Sequence, residues 1–174
     1  IALAAPTGKA AARLSESIAS QVAQLPLSEA LIKHIPSEVS TVHRLLGVMS
    51  QDHGQRYRHH AANPLALDVL VVDEASMLDL SLMAALMDAL PAQARIILLG
   101  DKDQLASVEA GAVLADLCGA ADRVNTDDVA VTNRMPNAQI PAHVAQLKQS
   151  FRFDAQRGIG KLAQAVRTGA AISA

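Results

Sequence analysis

The chain has 174 residues, a formal net charge of −2 and 51% apolar side chains, with Tyr57, Phe151 and Phe153 as its aromatic residues. Such a balance excludes a global basic field that would draw the protein to nucleic acid, so any polyanion contact has to be local, and the scarcity of rings excludes single-strand binding by base stacking. A lone cysteine, Cys118, excludes an intrachain disulfide and points to a reducing, cytoplasmic setting; no apolar run approaches a membrane span, so no membrane is expected as a partner.

The apolar set is dominated by Ala, Leu, Val and Ile, the composition of a helix-rich α/β protein. "IALAA" (1–5) reads as a short strand stopped by Pro6 and Gly8. Leu14, Ile18, Val22 and Leu25 recur at helical spacing and predict an amphipathic helix over 9–25. "STVHRLLG" (40–47) carries a helix start at Ser40 or Thr41 and a stop at Gly47. Residues 51–64 are polar and read as a surface loop. "LDVLVV" (67–72) is β-branched and continuous, as suits a central parallel strand buried on both faces. "LSLMAALMDAL" (80–90) predicts a helix ended by Pro91, and "RIILLG" (95–100) a second buried strand. Strand, helix, strand within about thirty residues is a βαβ unit with parallel strands. A further helix is expected over 107–120, a loop or linker over 121–141, strand character towards 154, and a short helix over 158–169.

"APTGKAAARL" (5–14) has the look of half a phosphate-binding loop, but the spacing rejects it. Counting back five from Gly8 reaches Leu3, not the turn glycine, and Ala10 stands where a magnesium-binding hydroxyl belongs. Three polar clusters nevertheless follow apolar strands: "PTGK" after the first, "DEAS" after 67–72 and "GDKDQL" after 95–100. In a parallel sheet these segments leave one common edge, which is where ligands bind. Asp73 suits a Mg²⁺-positioning carboxylate and Glu74 a general base for an attacking water; a solvated turn with Ser76 capping the next helix is the bland alternative. Gly100 allows a tight exit from its strand, and Gln104 offers an uncharged donor and acceptor suited to sensing a phosphate.

At these residues the sequence resembles a superfamily 1 DNA helicase, and more closely the RecD (alpha) subunits of exodeoxyribonuclease V. "LAAPTGKAAARLSESI", "STVHRLLG", "DVLVVDEASMLDLSLMAALMDALP", "LGDKDQLASVEAGAVLADLC" and "QSFRF" follow that family's motifs in order, over 1–120 and 147–169. The resemblance implies a partial RecA-like P-loop NTPase fold: a first motor domain over 1–120, a linker over 121–146, and the start of a second motor domain over 147–174. It implies ATP and Mg²⁺ as cofactors, with Asp73 for the metal, Glu74 as base, Gln104 linking phosphate to the DNA path, and Arg152 reaching the γ-phosphate. It turns Pro6, Thr7, Gly8, Lys9, Thr41 and His43 into single-stranded DNA contacts, although His43 suits a packing role equally well. The implied whole is a bacterial, cytoplasmic 5′–3′ helicase that works at DNA ends with RecB- and RecC-like subunits in double-strand break repair.

The chain departs from that family in containing no P-loop and none of the later motifs, and it starts on a strand without an initiator Met. It is therefore expected to be a fragment that alone neither hydrolyses ATP nor unwinds DNA. A non-catalytic module that docks partner subunits is the alternative. His53, His59 and His60 fit no zinc-ligand spacing, and Met77, Met83 and Met87 are expected to be helix packing.

Overall fold

The computed structural model describes residues 1–49, 56–102, 104, 113–124, 143–147, 158, 162, 165 and 166. The chain forms two compact units, Ile1–Gly119 and Ala120–Ala174. In the first, β1 (Ala2–Ala5), α1 (Gly8–Gln24), a one-turn α2 (Glu29–Ile32), β2 (Val39–Thr41), α3 (Val42–Leu46), β3 (Val48–Met49) and β4 (Arg56–Tyr57) precede the expected βαβ unit. That unit is β5 (Val69–Val72), a single 3-10 turn over Ala75–Met77, α4 (Leu80–Ala89) and β6 (Arg95–Leu98); α5 (Val113–Val124) follows.

The main sheet runs β2-β1-β5-β6, and each neighbouring pair is parallel. A parallel sheet with helical crossovers is the α/β architecture expected from the sequence. β3 and β4 form a separate antiparallel pair, in a stretch that polarity alone marks as loop. β2 is likewise invisible in the sequence: three residues are too few to show alternation, and β1 imposes the strand through the register Leu3↔Val39, Ala4↔Ser40 and Ala5↔Thr41.

β5 is central, between β1 and β6. Its Leu70 and Val72 are fully buried in a cluster with Val42 and Leu46 of α3 and Leu82, Met83 and Leu86 of α4. Each fully buried Leu contributes about 1.5–3 kcal/mol relative to exposure. Val69 and Val71, on the opposite face, are half-buried, so the strand is sealed on one face rather than both. β6 departs further from expectation. Ile96 and Leu98, in register with Leu70 and Val72, pack on the cluster, whereas Ile97 is 47% exposed. α1 packs chiefly against β1 and β2, at the end of the sheet remote from β6.

The helices start and stop on local chemistry. Thr7 caps α1 by accepting from the Ala10 amide at 3.2 Å, and Thr41 caps α3 by accepting from the Arg44 amide at 3.1 Å. Gly47, at φ 71°, closes α3 in the left-handed region that a side chain disfavours. α4 is capped by Asp79, whose carboxylate accepts from the Leu82 amide at 2.7 Å and the Ser81 hydroxyl at 2.6 Å. Ser76, the cap suggested by the sequence, lies in the 3-10 turn instead. Of the three methionines expected to pack, only Met83 is buried; Met77 and Met87 are 42% and 51% exposed.

α5 carries residues 121–124 as helix, where the sequence suggests linker. In the second unit, 143–147 are exposed and Gly158, Leu162, Ala165 and Val166 are helical. The strand expected near 154, and Arg152 with it, lie outside the described residues.

Candidate nucleotide and nucleic-acid rim

Because all four strands are parallel, every segment leaving a strand's C-terminal end emerges on one rim. Pro6-Thr7-Gly8-Lys9 leaves β1, the start of α3 leaves β2, Asp73-Glu74 leaves β5, and Gly100-Asp101 leaves β6. The geometry thus gathers segments up to about a hundred residues apart in sequence, as the parallel reading requires.

The central turn is tied to both neighbours. The Asp73 amide donates to the Ala4 carbonyl at 2.9 Å, the Leu99 amide to Val72 at 2.8 Å, and the Ala75 amide to Leu99 at 2.8 Å. Asp73 therefore continues the ladder with β1 while Ala75 is anchored to the chain leaving β6. Glu74, between these anchors, adopts φ 53° and ψ 38°. It is the one non-glycine residue with positive φ among the described residues. A glutamate in the left-handed region carries backbone strain of about 1 kcal/mol or more, which surrounding contacts must hold. Asp73 and Glu74 are half-buried, and among the described residues no hydrogen-bonding or ion-pair partner is seen for either carboxylate.

Gly100 fits for a reason the sequence conceals. A Cβ there would lie 2.9 Å from Leu114 Cδ2, 3.1 Å from the Ser76 amide nitrogen and 3.2 Å from that of Ala75. The residue is required by close approach of two main chains, not by the tight strand exit that its position suggests.

One strand over, Thr7, Gly8 and Lys9 open α1. Lys9 is exposed, and a Cβ on Gly8 would meet nothing within 4 Å, so nothing in the fold itself demands glycine there. The Thr7 and Thr41 hydroxyls use a lone pair as caps and keep their O–H for donation. Both follow neighbouring strands, Ala5 of β1 being the register partner of Thr41. Amide groups, dipole and lysine at the end of a 17-residue helix make this position favourable to a phosphate.

His43 is half-buried, its ring centroid 6.3 Å from that of Tyr57 and tilted by 55°. This packing role stands beside the nucleic-acid contact suggested for it. Burial pushes the Tyr57 hydroxyl up, reinforced by the Asp79 charge. The Asp79 carboxyl is held below its ordinary range by the Ser81 and Leu82 hydrogen bonds, with a smaller contribution from His43. Gln104 is exposed, and its amide donates to the Asp101 carbonyl at 3.2 Å, forming the turn after β6.

A divalent ion is compatible with the Asp73 carboxylate, an oxygen donor of the kind Mg²⁺ prefers. Among the described residues no three His, Cys, Asp or Glu side chains gather into a ligand set. The loop histidines serve local structure: the His59 ring bonds to the Asn63 carbonyl at 3.2 Å, and His60 accepts from the Ala62 amide at 3.3 Å. His53 lies outside the described residues.

A family profile described as an AAA domain matches residues 1–110. The chain belongs to the AAA domain family. Over 175 aligned residues it is 49% identical to the RecBCD enzyme subunit RecD of Mycolicibacterium smegmatis, with all of this chain and 27% of that protein covered. The corresponding Haemophilus influenzae subunit is 45% identical over 98% of this chain and 29% of its own length. The ATP-dependent RecD2 DNA helicase of Deinococcus radiodurans is 40% identical over 74% of this chain and 15% of its length. The chain thus spans less than a third of each of these relatives. The resemblance read from its motifs is supported by relatives that align across almost its whole length.

Within this AAA domain, sequence reading placed the strand-tip carboxylates and the α1 N-terminus on the rim but missed two supports. Asp79 was legible, since an aspartate three residues before Leu82 is an ordinary cap pattern. The fit of Gly100 was not, because Leu114 and Ser76 meet it only in three dimensions.

Proposed function

We propose that the chain belongs to the motor of a RecD-type, ATP-dependent 5′–3′ DNA helicase subunit that uses Mg²⁺ and acts with RecB- and RecC-like partners at DNA ends in break repair. The observation that carries this reading is the Asp73-Glu74 pair at the tip of the central strand, one strand from the capped N-terminus of α1 on the same rim. Residues 1–120 are the first motor domain, 121–146 the connection, and 147–174 the beginning of the second.

Asp73 is the carboxylate that orients Mg²⁺, which when bound neutralises phosphate charge during transfer. Glu74 takes the proton of the attacking water, its carboxylate having no partner among the described residues. Gln104, in the turn after the neighbouring strand, reports phosphate occupancy through its uncharged amide. Arg152 matches the arginine that reaches the γ-phosphate, where a planar, permanently charged fork suits the oxygens. Thr7, Gly8 and Lys9, with Thr41 and His43 beside them, hold the single strand by its backbone.

Phosphate also needs a cradle, and no Gly-Lys-Ser/Thr run occurs in the 174 residues. DNA-stimulated ATP hydrolysis is therefore the test. The full-length protein is expected to turn over ATP faster when single-stranded DNA is added, while residues 1–174 alone show no turnover. A full-length protein without ATPase activity would favour a docking module, and activity in 1–174 would contradict the assignment of the missing cradle.

A further inference from the structure

The Asp73–Ser76 turn contains a group for which the roles above have no use. Ser76 is 7% exposed, and its Oγ has no hydrogen-bond partner among the described residues. A buried hydroxyl in this condition has given up water and received nothing in return. Alanine would fill nearly the same volume without that cost, so the hydroxyl is not explained by folding.

A second cost lies two residues away. Glu74 is held at φ 53°, where glutamate is disfavoured. Two unfavourable features within one short turn, the one bearing the proposed general base, indicate a turn settled for another state. The segment leaving β6 lies directly against Ser76: the Ala75 amide bonds to Leu99, and a Cβ on Gly100 would sit 3.1 Å from the Ser76 nitrogen. That segment leads to Gln104.

We infer that Ser76 is a positioning residue, whose hydroxyl takes a main-chain partner in the segment leaving β6 as the attacking water is aligned on bound nucleotide, fixing the turn that aims Glu74. The inference rests on the motor reading above. Ser76 touches no reacting atom in this scheme; it acts through Glu74. The hydroxyl bond forms only as the reacting geometry is reached, not on nucleotide binding itself, so its loss falls on the chemical step rather than on binding or on folding.

The test uses the full-length protein with Ser76→Ala and Ser76→Cys, the latter keeping side-chain size while exchanging the hydroxyl for a weak donor. Both variants are expected to lose about tenfold or more in kcat for DNA-stimulated ATP hydrolysis, with KM for ATP within about twofold and the Ser76→Ala melting temperature not lowered. Wild-type kcat in both variants would overturn the inference. So would a lowered Ser76→Ala melting temperature together with wild-type kcat in Ser76→Cys, since that pattern marks packing. Absence of ATP turnover in the wild-type protein would overturn the motor reading itself, and is thereby distinguished from failure at Ser76 alone.

Discussion

Glu74→Gln in the full-length protein is expected to lower ATP turnover by about 10²–10⁴-fold while leaving ATP affinity within a few-fold. The substitution keeps the length and shape of the side chain, and glutamine is no worse than glutamate at the left-handed backbone angles of this position. What disappears is the ability to accept a proton. Because Asp73 is untouched, the Mg²⁺-linked part of nucleotide binding proposed for it is expected to survive. Steady-state ATPase assays and equilibrium nucleotide binding on the same preparation separate the two effects. Retained turnover would remove Glu74 from the role of base, and loss of binding would show that it holds the nucleotide instead.

The second large effect concerns support of that turn. Gly100→Ala is expected to destabilise the first unit by about 1–3 kcal/mol. Leu114 can swing its methyl away from a new Cβ, but the Ser76 and Ala75 nitrogens are main-chain atoms held by the 3-10 turn and by the bond from Ala75 to Leu99. Relief therefore has to come from separating the turn after β5 from the turn after β6. ATP turnover should fall with stability, since Glu74 lies between the residues that move. Urea unfolding followed by circular dichroism measures the first effect, and a change smaller than about 0.5 kcal/mol would contradict so close an approach.

The two substitutions bear on different levels of the sequence. The strands that build the rim were legible because "IALAA", "VLVV" and "RIIL" are apolar runs closed by turn-forming or polar residues, and parallel topology then places their exits together without long-range information. β2 and the β3–β4 pair were not legible. Two- and three-residue strands have no period to detect, and their pairing is fixed by partners elsewhere in the fold. Of the candidate site residues, Asp73, Glu74, Thr7 and Lys9 could be placed at strand exits from the sequence because each lies just after an apolar run. The state of Ser76 was not legible, since an unbonded buried hydroxyl is a property of packing that the sequence does not express.

The central claim is that one rim serves two phosphates, with carboxylates at the tip of β5 facing the nucleotide and the start of α1 facing nucleic acid. Its most direct test is the salt dependence of single-stranded DNA affinity in the full-length protein with Lys9→Ala. Loss of one phosphate contact should weaken binding to all sequences alike and reduce the slope of log affinity against log salt by about 0.7. Unchanged affinity and slope would detach the α1 N-terminus from the DNA path and contradict the two-phosphate account.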